Sequence, residues 1–151
     1  MVWWKRSSEE KTDKIPTQED IASLSSQFAA QFVGLNIIEQ VNIDNDIVES
    51  FSKKHNCITS VFVKSGNEFI RIATTLKQRD GTSAKGTSLD HFNPAYAKIQ
   101  NGESYSGSIN LFGTEYLTKY DPIFDNHKQV IGILFVGLPW KSYRYLKENP
   151  W

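Results

Sequence analysis

Ser60-Val-Phe-Val-Lys-Ser-Gly-Asn-Glu-Phe-Ile-Arg-Ile-Ala-Thr-Thr-Leu-Lys77 decides the fold class. Ile58 to Lys64 is rich in β-branched residues and alternates, Ser65-Gly-Asn67 supplies a turn, and Phe69 to Lys77 alternates again, which predicts a β-hairpin. Three more strands are expected downstream: Glu103 to Leu111, Tyr116 to Ile123 and Gln129 to Leu138. Phe112-Gly113-Thr114-Glu115 and Phe124 to Lys128 are the turns between them. Val130 to Val136 is apolar at nearly every position, so this strand belongs at the centre of the sheet, covered on both faces.

Upstream the period changes from two to that of a helix. Thr17-Gln-Glu-Asp20 has the form of a capping box, and Ile21, Leu24, Phe28, Phe32 and Leu35 follow at spacings of 3, 4, 4 and 3. One apolar stripe on a helix of about four to five turns results. Gly34 is tolerable only near its end. A second helix is expected from Asp44 or Asn45 to His55, with Asn56 as a left-handed cap. Between the second and third strands, Gln78 to Ser88 is an unusually long polar loop, of the kind that forms binding loops or lids. Pro94 to Gln100 reads as a short helix stopped by Asn101-Gly102. Two helices, the longer covering one face of a mainly antiparallel five-stranded sheet, and a short third helix make an α+β layer architecture.

The 151 residues amount to one domain, and 39% hydrophobic content with 13% aromatic is enough for a core. Residues 1–15 read as a flexible tail or the start of a helix, and residues 16–151 as the domain. Trp3-Trp4 before Lys5-Arg6 fits either the stub of a membrane-interface anchor or plain tail residues. Seventeen basic residues balance seventeen acidic ones, which argues against a nucleic acid or a generic polyanion as partner. Cys57 is the only cysteine, so an internal disulfide and a cysteine-built metal site are excluded within one chain. No apolar run approaches the roughly 20 residues of a membrane span, and no signal peptide is visible.

Motifs of catalysis are missing: no nucleophile elbow, phosphate loop, dinucleotide fingerprint or zinc-protease pair occurs. Neither enzymatic activity nor a cofactor is expected. His55, His91 and His127 are far apart, and Cys57 reads as a small buried residue. More informative is the strand from Phe69 to Lys77. On a regular strand, Phe69, Arg71, Ala73, Thr75 and Lys77 share one face. An arginine between an aromatic and a small residue, with the Thr75 hydroxyl further along, is either solvated or held in a pocket for an anion, because a dry unpaired charge is costly. Its forked donors suit a carboxylate. Tyr96, Tyr105, Tyr116 and Tyr120 either line a small cavity or are ordinary half-buried sheet residues. Lys119 falls on the face opposite Tyr116 and Tyr120.

Ser60 to Lys77 resembles the Cache-type sensor domains of bacterial methyl-accepting chemotaxis receptors. The likeness continues through Gly86-Thr-Ser-Leu89, Pro94-Ala-Tyr-Ala97, Gly102-Glu-Ser-Tyr-Ser-Gly107, Leu111-Phe-Gly113, Tyr116 to Ile123 and Val130 to Gly137. Across about 80 residues in this order it is specific to the single-Cache type. The resemblance implies a PAS-like fold, a long N-terminal helix on a five-stranded antiparallel sheet, with a ligand pocket between sheet and lid. It implies a place outside the cytoplasmic membrane in a membrane-anchored receptor, and a small carboxylate ligand such as acetate, propionate or pyruvate. Carried over, Arg71 pairs with the carboxylate, while Tyr96, Tyr105, Tyr116 and Lys119 supply contacts and walls. Asp90-His-Phe-Asn93 fills the lid, and His127-Lys128 stands where the family often has glycine. The chain is expected to be either an excised ectodomain or a free-standing Cache protein. The competing expectation is an interaction module without a small ligand, dimerising through the Ile21–Leu35 helix or docking a partner protein.

Overall fold

The computed structural model describes residues 15–32, 38 and 45–140. Expectations for residues 1–14, for Gly34 and Leu35, and for a helix start at Asp44 lie outside them. Helix α1, Gln18–Ala29, opens on the expected capping box: the Asp20 backbone N–H donates to Thr17 Oγ1 at 3.1 Å, and the Thr17 N–H donates to Asp20 Oδ2 at 2.9 Å. A 3₁₀ turn, Ala30–Phe32, continues it. Helix α2, Asp46–His55, ends on Asn56 at φ 55°, the left-handed cap that an asparagine tolerates. The strands are β1 (Ile58–Ser65), β2 (Glu68–Thr74), β3 (Tyr105–Leu111), β4 (Thr114–Phe124) and β5 (Val130–Pro139), with helix α3 at Pro94–Gln100.

All strand pairs are antiparallel, in the order β2-β1-β5-β4-β3. The apolar strand β5 is central, as its sequence requires. Helices α1 and α2 cover one face, where Ile21, Phe28, Val48 and Phe51 meet Val61, Leu117, Leu134 and Val136. On the other face Phe62, Phe69, Tyr120, Ile133 and Phe135 pack against Leu89 and against Ala95, Tyr96 and Ile99 of α3. We call these the helix face and the pocket face.

Two departures from regular pairing shape the pocket face. β2 ends at Thr74 rather than Lys77, and it carries a bulge: Val61 pairs with Ala73 but Phe62 pairs with Arg71, leaving Ile72 without a partner. One extra residue reverses the alternation. Ile72 and Ala73 both pack on the helix face, while Phe69 and Leu76 stay on the pocket face. The long loop then doubles back along β2. The Arg71 N–H donates to the Thr87 carbonyl at 2.9 Å, the Gly86 N–H donates to the Arg71 carbonyl at 2.8 Å, and the Leu89 N–H donates to the Phe69 carbonyl at 2.9 Å. The loop therefore covers an open sheet edge.

Gly132 of β5 lets β1 and β5 approach: a Cβ there would sit 2.2 Å from the Phe62 carbonyl oxygen, a backbone atom that cannot step aside. Gly132→Ala is therefore expected to destabilise the domain by at least about 2 kcal/mol through overpacking. Chemical denaturation checks this, and a midpoint within error of the parent refutes it.

Candidate functional site

A cavity of about 690 Å³ opens on the pocket face, within the size range of small-ligand sites. Arg71 from edge strand β2 and the segment from Ser108 to Phe112, at the end of the opposite edge strand, both line it. Arg79, Thr87, Ser88, Asp90, Phe92, Asn93 and Pro94 complete the wall from the loop and the start of α3. Asn93 caps that helix, accepting from the Ala95 N–H at 2.9 Å, and its amide donates to the Tyr120 hydroxyl at 3.3 Å. Asp90 shapes the lid by accepting from the Phe92 N–H at 2.8 Å. That turn leaves Phe92 96% exposed at the rim.

Arg71 is 3% exposed. Its Nη1 donates to Thr87 Oγ1 at 2.8 Å and to the Ser88 carbonyl at 3.4 Å. The Thr87 hydroxyl gives its own proton to the Ala84 carbonyl at 2.6 Å, so a lone pair is turned to the guanidinium. The central carbon lies over the Phe62 ring at 4.9 Å and over Phe112 at 5.8 Å, both within cation–π range. Nε is buried with no hydrogen-bond partner, and among the described residues no carboxylate forms an ion pair with Arg71. Burial lowers its pKa and interaction with the Tyr120 phenol raises it, but an arginine keeps its charge at neutral pH. Burial pushes the Tyr120 hydroxyl up to about 12, against the Asn93 hydrogen bond and the Arg71 charge. The site thus holds a dehydrated positive charge facing a cavity, with only neutral partners.

The other residues singled out in the sequence are not gathered around it. Thr75 leaves the Arg71 face because the bulge shifts it to the helix face, where its hydroxyl meets Ser52 Oγ at 3.0 Å and accepts from the Thr59 N–H at 3.0 Å. Thr74 takes the pocket-face position instead and bonds Ser60 Oγ at 2.6 Å. Lys119 likewise sits on the helix face, its Nζ 2.5 Å from Asp121 Oδ1. Tyr96 is on the pocket face, but its hydroxyl donates to the Asn67 carbonyl and accepts from Gln100 Nε2 at 3.0 Å. Its ring stacks on His91 at 4.1 Å. It ties α3 to the β1–β2 turn and does not line the cavity. Tyr105 pairs with Tyr120 across β3 and β4, and Tyr116 packs at the margin of the same core cluster; neither lines the cavity. Arg79, Asn93, Asn110 and Phe112 line the cavity, although the sequence does not single them out as site residues. Their signal lay in the long loop and the lid, whose length was readable but whose path was not. Cys57 is buried and its thiol is pushed up to about 12 by that burial, a poor nucleophile.

On the helix face, Asp121 accepts from Ser25 of α1, from Ser104 Oγ at 2.6 Å and from Lys119. Burial alone would raise its pKa; those hydrogen bonds and the Lys119 charge outweigh it, so the carboxyl titrates below its ordinary value of 3.8. The stabilisation is then complete above the ordinary carboxylate range and is lost as pH falls from about 4 through the depressed folded value. Asp121→Asn should lower the melting temperature at pH 7, with the gap to the parent closing in acid. A gap that stays constant from pH 7 to pH 3 refutes this.

The matching family model is the Cache 3/Cache 2 fusion domain, over residues 6–149, and the chain belongs to this Cache family. Among solved structures, the E. coli DcuS sensor domain is similar with a TM-score of 0.56 and 17% identity, over 85% of this chain and 97% of that one. The sensor domain of the V. cholerae histidine kinase DctB is similar with a TM-score of 0.56 and 16% identity, over 87% of this chain and 47% of that one. This chain therefore spans about half of the DctB domain. At these identities the likeness establishes the fold: Cache-type and PAS-like, as the sequence led us to expect. No curated protein matches the chain significantly.

Proposed function

We propose that this Cache domain is the ligand-binding sensor of a signal-transduction receptor and that it recognises a small organic carboxylate through Arg71. One observation carries the reading: a guanidinium 3% exposed, lining a cavity, with a buried unpartnered Nε and no carboxylate paired to it among the described residues. A carboxylate supplies the charge and the acceptor geometry such an arginine lacks. Around it, Ser108, Asn93 and Asn110 offer polar contacts, while Pro94, Ile109, Leu111 and Phe112 offer apolar wall. This mixture suits a short acid with a compact body. The Cache family membership supports a sensory role, exercised outside the cytoplasmic membrane and passed on through the terminal segments. No described helix is long and apolar enough to cross a membrane.

Thermal shift against acetate, propionate, pyruvate and lactate tests the reading. A ligand at a hundred times its dissociation constant adds about 2.7 kcal/mol to native stability, which is roughly 5–10 °C for a domain of this size. Arg71→Met separates site from scaffold. Replacing an uncompensated buried charge by an apolar side chain of similar length should leave the ligand-free midpoint unchanged or raise it. The acid-induced shift should vanish. A panel that shifts nothing overturns the carboxylate reading, and a shift that survives in Arg71→Met overturns the role of Arg71.

A further inference from the structure

We propose that Phe112 determines the specificity of the cavity: it is an aromatic residue held in a strained turn so that its ring covers Arg71 and favours acids with an apolar body. The inference rests on the carboxylate reading for its ligand and on the β3–β4 turn for its geometry. That turn is two residues long, since Leu111 pairs with Thr114. Phe112 has φ 49° and Gly113 has φ 91°. A two-residue hairpin turn with both angles positive is formed at little cost by Asn-Gly, whereas a bulky aromatic in the left-handed region is an outlier. Strained backbone of this kind persists where something else uses the side chain. Among the described residues the other non-glycine positions at positive φ are Asn56, a residue type that tolerates it, and Lys128, in the β4–β5 turn.

The Phe112 side chain is what the strained turn presents. Its ring faces the Arg71 guanidinium at 5.8 Å, it lines the cavity, and it packs against the core cluster of the pocket face. Phe62, the β1 residue paired directly with Arg71, provides a second ring at 4.9 Å. An aromatic face attracts a cation without neutralising it. Acidic residues in these positions would also hold the guanidinium, but they would cancel the charge that an incoming anion needs. Rings keep the arginine dry, in place and electrostatically open. The Phe112 ring also gives the cavity an apolar surface beside the charge, so a carboxylate with an alkyl group gains contact that formate cannot.

The test compares Phe112→Asn and Phe112→Tyr with the parent, using propionate and formate in calorimetry alongside thermal melting. Phe112→Asn should melt higher than the parent, because Asn-Gly suits the turn, while its propionate affinity falls about tenfold, as loss of a desolvated cation–π contact and apolar wall implies. The preference for propionate over formate should shrink with it, and Phe112→Tyr should retain that preference. A melting temperature that rises with an unchanged propionate-to-formate ratio overturns the proposal, because strain without selectivity makes Phe112 merely a poor turn residue. If the parent binds neither acid, the carboxylate reading fails by itself. Modification of Arg71 by phenylglyoxal, read by mass spectrometry, then decides the ring's role: several-fold faster labelling in Phe112→Asn supports it, and an equal rate overturns it.

Discussion

A charged guanidinium sealed into the pocket face without an anionic partner is the constraint from which the rest of this structure follows. An unpaired ion in a protein interior is tolerated only where geometry, dipoles and polarisable surfaces share the work of solvation. Here the backbone of Arg71 is fixed on both sides, its N–H to the Thr87 carbonyl and its carbonyl to the Gly86 N–H. Thr87 then serves the side chain as well, with its hydroxyl oriented by the Ala84 carbonyl. Two aromatic rings cover the rest. Each device holds the charge in place, and none removes it. This is the construction that the proposed anion recognition calls for, because a resident carboxylate would compete with an anionic ligand.

The bulge at Ile72 decides what stands beside that charge. A regular β2 would have placed Thr75 next in line after Ala73 on the Arg71 face; the extra residue sends both to the helix face. There Thr75 joins Ser52 and Thr59 in a buried hydroxyl cluster, in which the Thr59 hydroxyl donates to the Val48 carbonyl at 3.1 Å. A polar position is useful at that point, because it satisfies backbone groups where α2 meets the sheet. The same shift frees Thr74 for the pocket face, where it meets Ser60.

This is also where reading the sequence alone succeeded and failed. Capping-box chemistry, the Asn56 cap, the proline start of α3 and the two-sided apolarity of β5 are local properties, and local chemistry places them. Period two gave the strands and put Lys119 opposite Tyr120, which β4 obeys. Period two cannot announce a bulge, so it puts Thr75 on the wrong face. Nor can it say where a loop goes. Arg79, Asn93 and Asn110 reach the cavity only because residues 84–89 run back along β2 and because the two edge strands both reach one cavity. The tyrosines illustrate a related limit. The sequence shows that phenols are plentiful in α3, β3 and β4; it cannot show that Tyr96 commits its hydroxyl to the β1–β2 turn.

Strand β4 shows how the two faces are joined. Tyr120 points to the pocket face, interacts with Arg71 and accepts from Asn93 of the lid. Its neighbours Lys119 and Asp121 point to the helix face, where Asp121 accepts from Ser25 of α1. Adjacent residues of β4 therefore bear the group beside Arg71 and the group that holds the long helix. Sheet alternation makes this unavoidable: any shift of β4 that repositions Tyr120 must carry Asp121 with it, and the Ser25 hydrogen bond either follows or breaks. The helix is held here by polar contacts as well as by Ile21 and Phe28, and a directional hydrogen bond fixes its position along the strand more closely than apolar packing does. The polar residues of the helix face thus tie α1 to the strand that carries Tyr120 on the other face.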